Sequence, residues 1–242
     1  MREALVQPGD LVVDLGAGRG ALTGALVRAG AEVIAVERDP VLVGQLRSRF
    51  PVSVVEADAR RWNWPAKPFA VVANLPFAAA SAILRSLLDD PRVPLRRAHV
   101  IVQWELAAKR TAIWPSTLRS VDWGAWWQLS IVRRLGASAF APPPPVAAAV
   151  LAAERREPAL VPTEQWLDYR CFLEAVWTDR PVLRTLPFGG RELKRLAAEN
   201  GFDERALPRD LDARQWAALY RRALGRYTRS SRPPSRAGSR RR

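Results

Sequence analysis

A chain of 242 residues, 48% of them hydrophobic, is long enough for one large domain, or one domain with a small appendage, around an ordinary core. Its single cysteine, Cys171, rules out an internal disulfide and a cysteine zinc site, and a Ser-His-Asp triad would have to use its single histidine, His99. The net charge of +14 is almost wholly arginine, since Lys67, Lys109 and Lys194 are the only lysines, and it implies a polyanionic partner. No apolar run reaches the ~18 residues that mark a transmembrane helix, and the N-terminus has no signal-peptide core, so a cytoplasmic protein is expected.

Gln7-Pro-Gly-Asp10 reads as a turn into a buried strand over Leu11–Leu15. The glycine-rich stretch Asp14-Leu-Gly16-Ala17-Gly18-Arg-Gly20-Ala-Leu22-Thr23 follows, then an amphipathic helix to about Arg28, stopped by Gly30. A second strand over 32–36 ends in Glu37, and Pro40 sits in the first turn of a helix to about Arg49. A third strand at 52–55 leads into Glu56-Ala-Asp58-Ala59. A fourth at 69–73 ends in Asn74-Leu75-Pro76-Phe77, with a helix over 79–88 behind it, and a fifth lies at 97–103 with His99 at its entry. Strands alternating with helices imply an α/β, doubly wound, mostly parallel sheet.

Residues 112–122 read as a loop or partly helical insert. Residues 123–135 alternate enough for one long strand, 146–155 for another, and the two are expected to form an antiparallel edge hairpin around a rigid loop at Pro142–Pro145. Trp123, Trp126 and Trp127 fit core or edge packing. Beyond Pro158-Ala-Leu-Val-Pro162 the periodicity is helical, with a helix opened at Thr163-Glu-Gln-Trp166 and others at 183–186, 191–200 (capped by Gly201) and 212–224. The expected domains are 1–158, a small all-α domain at 159–225, and a disordered Arg-rich tail at 226–242 suited to non-specific phosphate binding.

The spacing Gly16-x-Gly18-x-Gly20 departs from the dinucleotide pattern G-x-G-x-x-G, and with Asp14 ahead of it fits an S-adenosylmethionine loop better than a pyrophosphate loop. Glu37 can accept from two ribose hydroxyls, and Asp58 from an adenine amino group. Both follow strand ends, where ligands bind in open parallel sheets. The stretch Asn74-Leu75-Pro76-Phe77 holds no acid, base or metal ligand. It offers two acceptors, the Asn74 side-chain oxygen and the Leu75 carbonyl, to orient a planar amino group; Pro76 fixes φ, and Phe77 can stack on a base.

These motifs resemble the rRNA adenine-N6 methyltransferases. Three later segments, Gln103-Trp-Glu-Leu-Ala-Ala-Lys109-Arg110, Phe140-Ala-Pro142-Pro-Pro144-Pro-Val146 and Leu207-Pro-Arg-Asp-Leu-Asp-Ala-Arg-Gln-Trp216, resemble the Erm branch of actinomycete type. The resemblance spans roughly residues 8–224. It implies a Rossmann-like adenosylmethionine-dependent methyltransferase sheet with a small C-terminal all-α domain. It further implies N6-methylation of a single adenine of 23S rRNA, with resistance to macrolides, lincosamides and streptogramin B. An unpaired or flipped base, a monomer and no metal are expected from the residues themselves. Carried onto this chain, Asp14, Gly16, Ala17, Gly18, Gly20, Glu37, Arg38, Asp58, Ala59 and Asn74 would bind the cofactor. Asn74, Leu75, Pro76, Phe77 and Phe140 would hold the target base. From the residues themselves, Arg133, Arg134, Arg155 and Arg156 read either as facing RNA or as a solvated arginine face, and the helical domain is expected to flank the cleft and help clamp RNA. A small-subunit rRNA adenine dimethylase shares the motifs, and a catalytically weak RNA-binding or assembly protein could keep the fold. Two features depart from the family: the cofactor-covering segment that usually precedes the first strand is not in this sequence, and Val146-Ala147 stands where Val-Asp is usual.

Overall fold

The computed structural model describes residues 4–140, 145–186 and 188–224. Leu11–Leu15 (β1) is buried along its whole length, and Phe69–Asn74 (β4) is buried except at its last residue. Such runs, apolar on both faces, are what a strand needs when helices cover the sheet on both sides. Around them lie Glu32–Glu37 (β2), Ser53–Glu56 (β3), Leu95–Gln103 (β5), Trp127–Leu135 (β6) and Ala148–Arg155 (β7). The seven strands run in the order β3-β2-β1-β4-β5-β7-β6; β1 to β5 are parallel, and β7 lies antiparallel between β5 and β6. The order reverses between β1 and β4, so their carboxyl ends flank a crevice.

The helices begin where local chemistry allows. Ala21–Arg28 (α1) starts after Gly20, whose φ of 82° only glycine adopts without strain. Pro40–Arg49 (α2) has Asp39 as its cap, the carboxylate accepting from the Val41 N–H at 2.9 Å, with proline in the first turn. Phe77–Leu88 (α3) leaves directly from the β4 loop. Trp104–Thr111 (α4) follows β5.

The long strand expected over 123–135 is instead a helix, Leu118–Gly124 (α5), followed by β6. A capping box between Thr117 and Ser120 starts the helix, and Trp123 lies inside it. Trp123, Trp126 and Trp127 are all fully buried, as core residues. The edge hairpin forms with β6 outermost, and a bulge between Ile131 and Arg133 turns Val132 outward and blunts the exposed edge. His99 is buried at mid-strand in β5, opposite Val72 and Ala152.

Two compact units emerge: residues up to Thr111 together with Trp126–Ala159, and Ala112–Ala125 together with the chain from Leu160. The expected boundary at 158 left residues 112–125 in the first domain, whereas here they group with the C-terminal helices. Those helices are Trp166–Val176 (α6), Gly190–Asn200 (α7) and Ala213–Ala223 (α8). Thr163–Gln165 and Val182–Arg184 form 3-10 turns where helical structure was expected, and Gly201 caps α7 at φ 67°. In this second unit Asp122 is fully buried and paired with Arg170 at 2.9 Å. Gly124 lets α5 approach α8 so closely that an added Cβ would lie 2.6 Å from the Cβ of Ala213. The expectations for the loop at 142–144 and the tail at 226–242 lie outside the described residues.

Candidate active site

The carboxyl ends of β1, β2, β3 and β4 enclose a cavity of about 260 Å³, walled by Gly16, Glu37, Arg38, Asp58, Ala59 and Pro76 among others. The glycine loop is built by its own amides. Gly16 and Ala17 N–H both donate to the Val36 carbonyl, at 2.8 and 3.2 Å, and Gly20 N–H donates to the Ala17 carbonyl at 2.9 Å. Gly18 N–H donates to Glu37 Oε2 at 2.9 Å. A pyrophosphate loop must aim such amides at the ligand. Here they are engaged within the chain, and the group beside them is a carboxylate, so a phosphate would meet repulsion in place of donors.

Glu37, buried at the end of β2, is a hub. Its Oε1 accepts from the Arg38 and Asp39 N–H groups at 2.8 and 3.0 Å, and its Oε2 holds Gly18. A carboxylate accepts about four bonds, so Oε2 keeps capacity for a ligand hydroxyl on the cavity wall. Asp58 sits in a turn after β3, where its carboxylate accepts from the Arg60 N–H at 2.9 Å and is forked by the Arg60 guanidinium. Hydrogen bonds from Arg60 hold the Asp58 carboxyl well below the usual carboxylate range.

Not every residue singled out from the sequence touches the cavity. Asp14 is buried beneath the loop, where the Thr23 hydroxyl donates to its Oδ2 at 2.6 Å, tying α1 to the end of β1. Burial pushes its carboxyl up to about 6, against the opposing effect of the Thr23 bond. Ala17 packs into the core with Ala35 and Leu46. Gly20 leaves no room for a side chain, since a Cβ would lie 2.4 Å from the Phe50 ring. Gly16, Glu37, Arg38, Asp58 and Ala59 are thus brought together on the wall, while Asp14, Ala17, Gly18 and Gly20 support it.

Asn74 closes β4 opposite Ile101, on the same edge and exposed. Neither its side-chain amide nor the Leu75 carbonyl takes a bond from any described residue, whereas the Leu75 N–H donates to the Ile101 carbonyl at 3.1 Å. The Pro76 carbonyl accepts from Ala79 N–H at 2.9 Å, and its ring lies 3.5 Å from where a Cβ on Gly16 would be. The two loops are therefore neighbours. Phe77 is half-buried at the start of α3. Phe140 follows a 3-10 turn beyond β6, whose end pairs with Ala148 at the same sheet edge, and it makes no ring contact with Phe77.

Arg60 went unremarked in the sequence, although an Asp-x-Arg turn after a strand is a signal for such a fork. Arg155, expected to face RNA, points inward. Its guanidinium donates to the Pro91, Val93 and Leu95 carbonyls at 3.0, 2.6 and 2.8 Å and stacks on Trp127. Arg133 and Arg134 are exposed, and Arg134 lies over the Trp104 ring at 4.7 Å.

An acceptor-rich cavity fits a ligand that presents hydroxyls and amines, as adenosylmethionine does. A sheet of this order, with a carboxylate closing β2 and an amide-proline loop closing β4, is compatible with an adenosylmethionine-dependent amino-group methyltransferase. The ribosomal RNA adenine dimethylase model matches residues 1–221. The mycinamicin-resistance protein MyrB of Micromonospora griseorubida is 36% identical over 218 residues, covering 87% of this chain and 69% of that protein. An rRNA adenine N-6-methyltransferase of Corynebacterium diphtheriae is 33% identical over 70% of this chain and 67% of that one. The crystal structure of the 23S rRNA methyltransferase ErmE superposes with a TM-score of 0.79 at 24% identity, covering 91% of this chain and 93% of that chain, a likeness of fold. The chain belongs to the ribosomal RNA adenine dimethylase family and is an rRNA adenine-N6-methyltransferase.

Proposed function

We propose that the chain methylates N6 of one unpaired or flipped adenine in 23S rRNA, acting as a cytoplasmic monomer and conferring macrolide-lincosamide-streptogramin B resistance. The observation that carries the chemistry is the pair of unengaged acceptors, the Asn74 amide oxygen and the Leu75 carbonyl, beside an acceptor-rich cavity. The similarity to a mycinamicin-resistance protein supports the resistance, and that to an rRNA adenine N-6-methyltransferase supports an rRNA substrate.

Glu37 holds the ribose hydroxyls through its remaining Oε2 capacity, and Asp58 takes the cofactor's adenine amino group beside Ala59. Bound adenosylmethionine supplies a methyl carbon made electrophilic by its sulfonium. Asn74 and Leu75 accept the two N–H bonds of the target amino group. This turns the nitrogen lone pair, otherwise delocalised into the ring, toward the donor. Removing the base from its stack costs a few kcal/mol, which Phe77 offsets by stacking. Phe140 offers an aromatic face to the cationic nitrogen that forms on transfer. The excess proton passes to water once that nitrogen is cationic and acidic, so no general base is required.

Tritiated methyl transfer to naked 23S and 16S rRNA tests the assignment. Label in 23S rRNA alone is expected, together with raised macrolide resistance in a susceptible host. Label in 16S rRNA alone would return the chain to the small-subunit branch, and no label with RNA binding intact would leave a non-enzymatic protein.

A further inference from the structure

We propose that the second unit carries its own binding site for an unpaired nucleobase bearing an exocyclic amino group, with Trp114 as stacking platform and Asp179 as the acceptor that reads the base. The proposal rests on the rRNA substrate of the family and adds a contact remote in sequence from the catalytic loops.

Trp114 is 71% exposed, yet its indole is fixed, with Nε1 donating to Asp210 Oδ1 at 2.9 Å. The other Asp210 oxygen accepts from Leu207 N–H at 2.8 Å, so the acceptor is itself immobilised. Two further bonds zip the segment down: Ser116 N–H to the Arg209 carbonyl at 2.7 Å, and the Ser116 hydroxyl to the Leu211 carbonyl at 2.9 Å. Core packing would bury the ring, and a loose surface side chain would not have its N–H engaged. A rigid aromatic face turned to solvent is what a stacking base requires.

Ser116 and Arg209 also line a cavity of about 250 Å³, together with Thr117, Trp177 and Asp179. That is just under the range of about 300–1,000 Å³ that takes drug-sized ligands and suits a single flat ring. One face of Trp177 is backed by Trp216 at 5.8 Å and 28°, which stiffens that wall. Asp179 is exposed on the rim and takes no bond from any described residue. A carboxylate there repels phosphate and accepts from an amino edge, as acidic side chains do from cytosine in direct readout. Charge agrees: residues 112–125 and 160–224, the unit without the arginine-rich stretch 225–242, hold 12 Lys and Arg against 11 Asp and Glu, so this part has almost no excess charge for backbone phosphates. It is suited to reading bases.

The test is fluorescence anisotropy of the full chain with labelled octamers, rA8 and rU8, across a salt series. Wild type should prefer rA8. Trp114→Ala should weaken rA8 binding by roughly tenfold, within the range of about 1–3 kcal/mol for one base on one aromatic ring. The salt slope should be unchanged, because stacking releases no counterions. Trp114→Phe should stay within about threefold of wild type, whereas Trp114→Leu should behave like Trp114→Ala. Asp179→Ala should abolish the preference for rA8 over rU8. Unchanged rA8 binding in Trp114→Ala, or Trp114→Leu matching Trp114→Phe, would overturn the site, the latter in favour of an apolar protein-docking patch. Failure of the wild type to label 23S rRNA would sink the target assignment while leaving this octamer pattern to stand or fall alone.

Discussion

Two loops at one edge of the sheet are built on opposite plans. In the glycine loop the N–H groups of Gly16, Ala17, Gly18 and Gly20 are all engaged, by Val36, Glu37 and Ala17. In the loop from Asn74 to Phe77 the two acceptors that matter, the Asn74 amide and the Leu75 carbonyl, are engaged by nothing described. The first loop is a surface on which a ligand lies, so its geometry must be settled before the ligand arrives. The second completes its hydrogen bonds only with the substrate. Damage to the first should therefore read out as stability and cofactor affinity, and damage to the second as turnover.

Asn74→Ala is the strongest test of that division. It should cut methyl transfer roughly 100-fold or more, the scale on which one preorganised transition-state hydrogen bond acts, about 2.7–4 kcal/mol. Cofactor affinity by calorimetry should stay within about twofold and the melting temperature should hold. A variant that turned over normally would remove the amide from the mechanism.

Gly20→Ala attacks the other loop. The residue has φ 82°, and its new Cβ would meet both the Phe50 ring and Leu46 Cδ2, at 2.4 and 2.9 Å. Left-handed strain of about 1–2 kcal/mol and overpacking of about 1–3 kcal/mol should together lower stability by roughly 2–5 kcal/mol in chemical denaturation. Turnover per folded, cofactor-saturated molecule should change little. If turnover collapsed at saturating cofactor, the loop would be chemical as well as structural.

Glu37→Gln is subtler. An amide can still accept from Arg38 and Asp39 N–H, but its NH2 end cannot accept from Gly18. Leaving that donor without its partner should cost about 1–2 kcal/mol of stability and weaken cofactor binding roughly tenfold. Wild-type affinity in this variant would detach Glu37 from the cofactor.

Much of this division could be read from residues alone, because its signals are local. The alternating glycines Gly16, Gly18 and Gly20, an acid closing a strand, Asp39-Pro40 opening a helix and Gly201 ending one each act within a few residues. What escaped was set by period or by distance. Trp123, Trp126 and Trp127 stand at i, i+3 and i+4, a helical spacing, yet the alternation that follows from Trp127 to Leu135 drew the whole run into one strand. The Thr117–Ser120 box that starts α5 uses a serine hydroxyl where Glu or Gln is the familiar partner. Nothing near residue 120 announces that Asp122 will pair with Arg170, or that Gly124 will meet Ala213. Arg155 deceived for the same reason. Its three carbonyl partners lie about 60 residues back, and burial lowers its pKa from the usual arginine value. The unengaged acceptors of the second loop were legible as chemistry, but that they are unengaged is a fact of the fold.

The smallest expected effect concerns Asp14, which lies beneath the first loop and never reaches its surface. Burial raises its carboxyl from 3.8 to about 6. The native state therefore holds this proton more tightly than the unfolded chain does. The stability it contributes is fully present below about pH 4 and is lost as pH rises through about 6. Between pH 7.5 and 5.0 the wild type should gain roughly 1.4 kcal/mol from this group, or about 3–5 °C in melting temperature for a chain of this size. Asp14→Asn keeps an oxygen to accept the Thr23 hydroxyl and has nothing to titrate, so it should lack that increment while retaining cofactor affinity at pH 7.5. The comparison cancels every other titrating group. A variant whose midpoint still moved with pH as the wild type's does would place the titration elsewhere. One that lost cofactor affinity at pH 7.5 would make Asp14 part of the surface, and would blur the line between what holds the loop and what the loop holds.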